Sequence, residues 1–238
     1  MSLPNILVLI SGSGSNLQAI IDSVAAKNLK ANIIKVISSS ADAYGLERAS
    51  KADIPTEVHT LKTYYKDLPK SDRPQARKRF NKDLANLIVH GNIEGDEDAT
   101  PKGHIVPDLI VCAGWMLILS PDFLSPLEEE GVKIINLHPA LPGQFDGTHA
   151  IDRAWEAGQK GEITESGVMI HRVIQEVDAG EPLLVKKIDL RKEETVEEFE
   201  ARVHALEHKA IVEGTILALK EIEEQKKKDN EEEEEKSK

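Results

Sequence analysis

Short apolar runs alternate with segments of helical periodicity over the first half of the chain. The run from Asn5 to Ile10 is continuous and apolar, which is typical of a strand buried on both faces. Leu17, Ile20 and Ile21 follow it at helical spacing. The same alternation predicts further strands at 32–37, 55–59, 108–112 and 132–137 and helices at 43–52 and 77–89. Strands that alternate with helices predict a parallel sheet with right-handed crossovers.

The pattern changes after residue 149. Segments 167–173 and 182–188 are predicted to form an antiparallel pair, and 194–223 a long helix capped by Thr195. Segments 66–74 and 90–103 are charged and broken by Pro or Gly, so we expect surface insertions there, the second a mobile loop. The fold class is therefore α/β. It is an open, mostly parallel Rossmann-like sheet with helices on both faces, a C-terminal antiparallel strand pair and a long C-terminal helix.

Composition restricts the class of protein further. The chain has 238 residues, of which 40% are hydrophobic, enough for a sizeable core. It contains no run of 18 apolar residues, and its start lacks the pattern of a secretory signal, so we expect neither a membrane span nor export. The one cysteine, Cys112, lies in an apolar run and is expected to be a buried thiol. These features suit the cytoplasm.

Charge is concentrated at the C-terminus. The formal net charge is −12, and from Glu221 onward the chain is almost entirely Glu, Lys, Asp and Gln. Such a segment cannot bury a core, so 224–238 is expected to be a solvated acidic tail, helical at first and then disordered, after a single domain at 1–223. We expect no nucleic-acid binding, because no basic stripe with interleaved aromatic residues is present.

The strand predicted at 132–137 leads into two polar side chains. Asn136 and His138 are two residues apart, so in an extended segment they point to the same side. Pro139 and Pro142 then stop the strand. An amide and an imidazole aimed at one point can hold a developing oxyanion and pass a proton. The alternative is an ordinary strand end with a capping Asn and a surface His.

A loop of small residues, Gly12 to Asn16, follows the first strand. Its backbone amides could approach an anion, and the N-terminus of the next helix favours negative charge there. The loop lacks the Lys of a nucleoside-triphosphate loop, and Leu17 replaces the third Gly of a dinucleotide fingerprint. A single phosphate on a small molecule therefore remains as the ligand, with a plain tight turn as the alternative.

These motifs together resemble the glycinamide ribonucleotide formyltransferase family, folate-dependent enzymes of purine synthesis, over about residues 5–220. The motifs that carry the resemblance lie at 10–20, 42–49, 113–120, 136–139, 177–180 and 207–208. The two insertions and Asp146-Gly147 look more like the fungal, monofunctional branch than like the bacterial one.

The resemblance implies a mechanism without a protein nucleophile or a metal. The amine of the ribonucleotide attacks the formyl carbon of 10-formyltetrahydrofolate directly. Asn136 and a protonated His138 then stabilise the tetrahedral oxyanion. Asp178 pairs with His138 and, through a water, helps to carry a proton. The alternative for Asp178 is a turn residue before Gly180.

The resemblance also implies the substrate contacts. Gly14, Ser15 and Asn16 match the phosphate-binding positions, within a phosphate-binding half at 1–112. Glu207 matches a ribose-binding carboxylate, with an ordinary helix-surface Glu as the alternative. The folate and catalytic half is 113–223. Its positions around the pterin are Met116, Leu117, Ile118, Leu119, Val173, Ile174 and Val177. Leu117 replaces an Arg of bacterial relatives, and Arg77 is expected near the benzoylglutamate tail of the folate.

Two other classes of function remain open. One is another 10-formyltetrahydrofolate enzyme, either a hydrolase or a formyl-tRNA-forming type. The other is a non-catalytic protein that binds a phosphorylated ligand. We expect small-molecule partners only, and a monomer or weak homodimer.

Overall fold

The computed structural model describes residues 2–175, 178 and 180–236. Over these residues the chain forms one sheet with helices on both faces. The strands are β1 (Asn5–Ile10), β2 (Asn32–Ser38), β3 (Thr56–Val58), β4 (Leu109–Cys112), β5 (Lys133–His138), β6 (Glu165–Arg172) and β7 (Pro182–Asp189). The helices are α1 (Ser15–Ala25), α2 (Tyr44–Lys51), α3 (Leu61–Tyr65), α4 (Arg73–Val89), α5 (Pro121–Glu129), α6 (Ala150–Gln159) and α7 (Val196–Lys236).

The strand order is β3-β2-β1-β4-β5-β6-β7. Neighbouring strands from β3 to β5 are parallel, whereas β6 is antiparallel to both β5 and β7. This arrangement confirms the predicted fold class. The chain order reverses between β1 and β4, and ligands of open α/β sheets bind at the carboxyl ends of strands beside such a reversal.

Alternate residues of β1 supply the two halves of the core. Ile6, Val8 and Ile10 belong to a buried cluster that also contains residues of α1 and α7. Leu7 and Leu9 belong to a second cluster on the other face, with residues of α4 and α5. This two-residue alternation explains why the run is apolar throughout. Cys112 is buried as predicted, and burial raises the pKa of its thiol to about 12, so the thiol is unreactive.

Three helices, α3, α5 and α6, lie where no helix is predicted, and α3 spans only five residues. Pro121 stands in the first turn of α5, where its missing N–H costs nothing, but Pro126 lies inside the helix and weakens the pattern. Helix α6 buries Ala150, Ala154 and Ala157 and packs Ile151 and Trp155 partly against the core, but it is only ten residues long. In the segment at 66–74, residues 70–72 form a 3₁₀ turn, and α4 begins at Arg73 rather than at the predicted residue 77.

Helix α7 begins as predicted. The Glu198 N–H donates to the Thr195 hydroxyl (3.2 Å) and the Thr195 N–H donates to the Glu198 carboxylate (3.0 Å), a reciprocal cap. The helix continues past the predicted end at residue 223 as far as Lys236, with exposed side chains at 223–232. The division into a domain at 1–223 and a disordered tail stays a prediction. None of the helices in the described part of the chain is both long enough and apolar enough to cross a membrane.

Candidate active site

The loop after β1 makes a close backbone contact with the start of α2. Gly14 precedes α1 with φ +69°, and a Cβ atom on it would lie 2.5 Å from the Cα of Gly45. The Gly45 N–H also donates to the Gly12 carbonyl (3.1 Å). Glycine is therefore required at position 14 both by its conformation and by this contact. Ser15 and Asn16 form the first turn of α1, where backbone N–H groups are free to bind an anion.

The structure brings Asn16 and Glu207 together, although they are 191 residues apart in the chain. The Asn16 side-chain N–H donates to a Glu207 carboxylate oxygen (3.1 Å), and only 5% of Glu207 is exposed. Burial raises the pKa of Glu207, and the bond from Asn16 offsets this in part. Glu207 is thus not an ordinary helix-surface residue. A buried carboxylate with few partners is ready to accept hydrogen bonds from hydroxyl groups.

Arg48 places a positive charge beside the same loop, and it was not among the predicted site residues. Its Nε donates to the Ser13 carbonyl (2.9 Å), and its guanidinium carbon lies 4.9 Å from the centre of the Tyr44 ring. Arg48 lies in the motif at 42–49 that carries part of the family resemblance, and that motif was the available signal for it. The side chain both braces the loop and favours an anion there.

The predicted trio of Asn136, His138 and Asp178 meets at the end of β5. Asn136 and His138 lie on β5, and His138 is 3% exposed. The His138 Nδ1 lies 3.4 Å from one carboxylate oxygen of Asp178, a residue of the segment that joins β6 to β7. The Gly147 N–H donates to the same oxygen (3.0 Å). The alternative of a plain turn residue therefore does not account for Asp178.

His171 completes this cluster and was missed in the sequence. It lies opposite Asn136 in the antiparallel register of β6 with β5. Its Nδ1 lies 2.9 Å from the Arg172 carbonyl oxygen and donates its hydrogen there. The Asn136 side-chain nitrogen lies 3.1 Å from the other ring nitrogen, Nε2. His171 therefore fixes the orientation of the Asn136 amide. A His inside the apolar strand predicted at 167–173 was the available signal.

His171 also reaches Asp178, since its Nε2 lies 3.4 Å from the second carboxylate oxygen. Burial raises the pKa of Asp178, but the contacts from His171, Gly147 and His138 outweigh burial and the net pKa is lowered. Burial lowers the pKa of His138 more than the Asp178 and Asp146 carboxylates raise it. At neutral pH the structure thus holds an ionised Asp178 beside a neutral His138. The protonated ring expected from the resemblance requires added negative charge from a bound substrate.

The residues expected around the pterin form an apolar surface at the loop after β4. Met116 and Ile118 are 71% and 58% exposed, Leu119 is buried, and Leu117 packs partly into the core. The Met116 N–H donates to the Ser11 hydroxyl (2.9 Å), which ties this loop to the loop after β1. Exposed apolar side chains held by a fixed backbone suit a planar ring ligand.

The other residues expected near the folate are less closely gathered. Val173 packs partly into the same core cluster and Ile174 is exposed, whereas Val177 lies outside the described residues. Arg77 lies on α4 and donates to the Tyr65 hydroxyl, so its guanidinium contacts α3 here rather than the loop after β4. Its place at the folate tail stays a prediction.

Among the described residues, one group could share a cation: ring and carboxylate atoms of His138, Asp146 and Asp178 lie within 4.8 Å of one another. His138 and Asp178 already contact each other, and Asp146 is exposed. The arrangement is the one that an acid–base pair with a neighbouring carboxylate requires.

Comparison with known proteins agrees with this fold. The profile of the formyl transferase family matches residues 4–215, and the chain belongs to that family. The resemblance inferred from the sequence motifs is thereby confirmed at the level of the family.

Within the family, the similar proteins include phosphoribosylglycinamide formyltransferases. The Saccharomyces cerevisiae protein is 49% identical over 228 residues, which cover 92% of this chain and 99% of that protein. The Schizosaccharomyces pombe protein is 47% identical over 212 residues, 88% of this chain and 94% of that protein. These two relatives fit the fungal-like monofunctional form. The crystal structure of glycinamide ribonucleotide transformylase 1 from Symbiobacterium toebii superimposes with a TM-score of 0.70 at 30% identity, covering 90% of this chain and 86% of that chain.

Proposed function

We propose that this chain transfers the formyl group of 10-formyltetrahydrofolate to the amine of glycinamide ribonucleotide in de novo purine biosynthesis. The observation that carries the proposal is the cluster of Asn136, His138, His171 and Asp178 at the end of β5, with contacts of 3.1 to 3.4 Å. The Asn16–Glu207 pair supports it, because it combines a phosphate-binding loop with a sugar-binding carboxylate.

Each substrate is assigned its own set of residues. The ribonucleotide phosphate binds the backbone amides of Gly14, Ser15 and Asn16, and Glu207 accepts from the ribose hydroxyls. The pterin lies against the apolar residues of the loop after β4. Arg77 turns towards the glutamate tail of the folate, which supplies carboxylates for a guanidinium.

The cluster provides what direct amine attack requires. The contact with His171 holds the Asn136 amide, which can donate a side-chain hydrogen to the oxyanion. The negative charge of the bound substrates raises the pKa of His138, so the ring takes up a proton from solvent before the attack. It is then a charged donor to the negative charge that develops on the formyl oxygen. Asp178 orients that ring. Through a water, it accepts the proton that the attacking amine loses and returns a proton to the departing folate nitrogen.

The partners assigned to the chain are small molecules. The acidic net charge of −12 argues against a nucleic-acid substrate. We propose a cytoplasmic monomer or weak homodimer that binds neither membrane nor nucleic acid.

The test compares three formyl acceptors at one concentration of 10-formyltetrahydrofolate: glycinamide ribonucleotide, aminoacylated initiator tRNA, and water. Turnover that requires the ribonucleotide is the expected result. Dominant formate release would instead indicate a hydrolase, and formylated tRNA would indicate the tRNA-dependent class. Tight ribonucleotide binding with none of the three products would mean a non-catalytic binding protein.

A further inference from the structure

Arg153 on α6 clamps the loop that joins β5 to α6. One guanidinium nitrogen, Nη2, donates to the carbonyl oxygens of both Phe145 (2.6 Å) and Asp146 (2.8 Å). The guanidinium carbon also lies 5.7 Å from the centre of the Phe145 ring. The loop is conformationally demanding, since Phe145 and His149 have positive φ angles of 50° and 57°. A guanidinium group, which is charged and carries several N–H donors, can hold such a loop.

One peptide unit of the clamped loop links Arg153 to the catalytic cluster. The carbonyl of the Asp146–Gly147 peptide accepts from Arg153, and the N–H of the same peptide donates to Asp178 (3.0 Å). Because a trans peptide is planar, its C=O and N–H point in opposite directions, and fixing one fixes the other. A hydrogen bond to the carbonyl also polarises the N–H and strengthens its bond to a carboxylate.

We propose that Arg153 is a positioning residue for formyl transfer: it holds the Asp146–Gly147 peptide so that the peptide N–H binds and orients the Asp178 carboxylate. The inference rests on the role of Asp178 under the proposed function. It adds a residue that touches neither substrate and acts on His138 only through Asp178.

The charged and titratable groups that face Asp178 come from three elements. His138 approaches from β5, His171 from β6, and the Asp146 carboxylate from the loop itself. Loss of Arg153 would leave those groups in place and free the peptide. The Asp178 carboxylate would then lose a donor, and its pKa would rise. Activity that needs an ionised Asp178 would therefore fail at a higher pH than in the wild type.

The experiment compares Arg153→Met with Arg153→Lys and with Asp152→Asn as the matched control. Asp152 is on the same helix and contacts the loop at His149 (3.3 Å), but the Asp146–Gly147 peptide is not its partner there. We expect Arg153→Met to lower kcat by about 10- to 100-fold, the effect of losing a hydrogen bond to a charged group. Its acidic pH limb should shift upward while the KM for the ribonucleotide stays within about 2-fold, since binding is assigned to other residues. Arg153→Lys should restore part of both effects, and Asp152→Asn should show neither.

A folded Arg153→Met enzyme with a wild-type pH profile would overturn the inference. An upward shift of the acidic pH limb in Asp152→Asn as well would also overturn it, because it would show that the loop loosens in general. If Arg153→Met does not fold, Arg153→Gln takes its place, because glutamine is too short to reach both carbonyls. A wild-type pH profile in folded Arg153→Gln decides against the inference. Asp178→Asn is measured in parallel. Wild-type turnover in Asp178→Asn would contradict the proposed function itself, whereas loss there with no effect at Arg153 would contradict only this inference.

Discussion

Glu207→Gln separates ligand binding from stability at one buried position. Glutamine keeps the size of the side chain and an oxygen that can accept from Asn16 (3.1 Å in the wild type). It removes the charge and the ability to accept with both oxygens. Hydrogen bonds to charged groups contribute about 1.5–3 kcal/mol each, so the loss of one predicts a Kd for the ribonucleotide that is about 10- to 100-fold weaker. Folate affinity should hardly change.

The same substitution should stabilise the free protein. The folded-state pKa of Glu207 is raised by burial, so the wild type loses stability as pH rises through the unfolded-state pKa towards the folded-state pKa. Glutamine does not titrate and escapes this loss. The melting temperature of the variant should therefore exceed that of the wild type at pH 7, and the difference should shrink in acid. For a domain of this size, about 1 kcal/mol corresponds to about 2–4 °C.

Calorimetric titration with each ligand and thermal unfolding at two pH values measure both effects. Glu213→Gln is the matched control: Glu213 lies on the same helix, is exposed, and pairs with Lys186 (2.7 Å). It should change neither affinity nor the pH dependence of stability. Unchanged ribonucleotide affinity in Glu207→Gln would remove Glu207 from the site. Equal losses for both ligands would show a general distortion and refute the reasoning.

Three further predictions concern the cluster, the loop and the tail. His138→Ala should lower turnover by at least about 100-fold in a folded protein. The control is His104→Ala, at a His that is hydrogen-bonded to the end of α4, and it should not lower turnover. Near-normal turnover of His138→Ala in steady-state assays would contradict the role of His138. Gly14→Ala should raise the KM for the ribonucleotide far more than the KM for folate, because the added Cβ clashes with Gly45. The control is Gly131→Ala, since Gly131 has φ +72° and open space around it and so tests backbone strain alone, which costs about 1–2 kcal/mol. Equal KM changes in the two variants would exclude the clash as the cause. Deleting 224–238 removes the bond from Lys226 to Asp108, but Asp108 keeps its bond from the Asn5 N–H (2.7 Å) and Lys226 is 63% exposed. Chemical unfolding should therefore show a free energy of unfolding lower by less than about 1 kcal/mol, and kcat should be unchanged. A larger loss of stability that is absent on deleting only 227–238 would show that this bond contributes more than a surface pair.

The sequence predicted those parts of the fold and site that local patterns encode. The apolar β1 run, the loop at 12–16 and the Asn136–His138 spacing are each readable within a few residues. The partner of Asn136 could not be predicted in this way, because His171 lies opposite it only through the register of two antiparallel strands. The Asn16–Glu207 hydrogen bond could not be predicted from a local pattern either, because it joins α1 near the start of the chain to α7 near its end.

Weak local signals account for the remaining differences. Helix α6 is only ten residues long and its fully buried side chains are small alanines, whereas α5 contains an internal proline. The neutral state of His138 depends on its degree of burial, which a sequence motif does not report. Arg153 carries no motif at all, since its effect runs through backbone carbonyls.

The most direct test of the central claim follows an isotopically labelled formyl carbon from 10-formyltetrahydrofolate in the presence of glycinamide ribonucleotide. Nuclear magnetic resonance of the reaction mixture distinguishes the formamide of the product from free formate. We predict that the wild type places the label in the formamide, with one folate deformylated for each product formed. We predict that a folded Asn136→Ala, His138→Ala double variant leaves the label on the folate. Label that collects in formate, or formamide formed equally well by the double variant, would contradict the account.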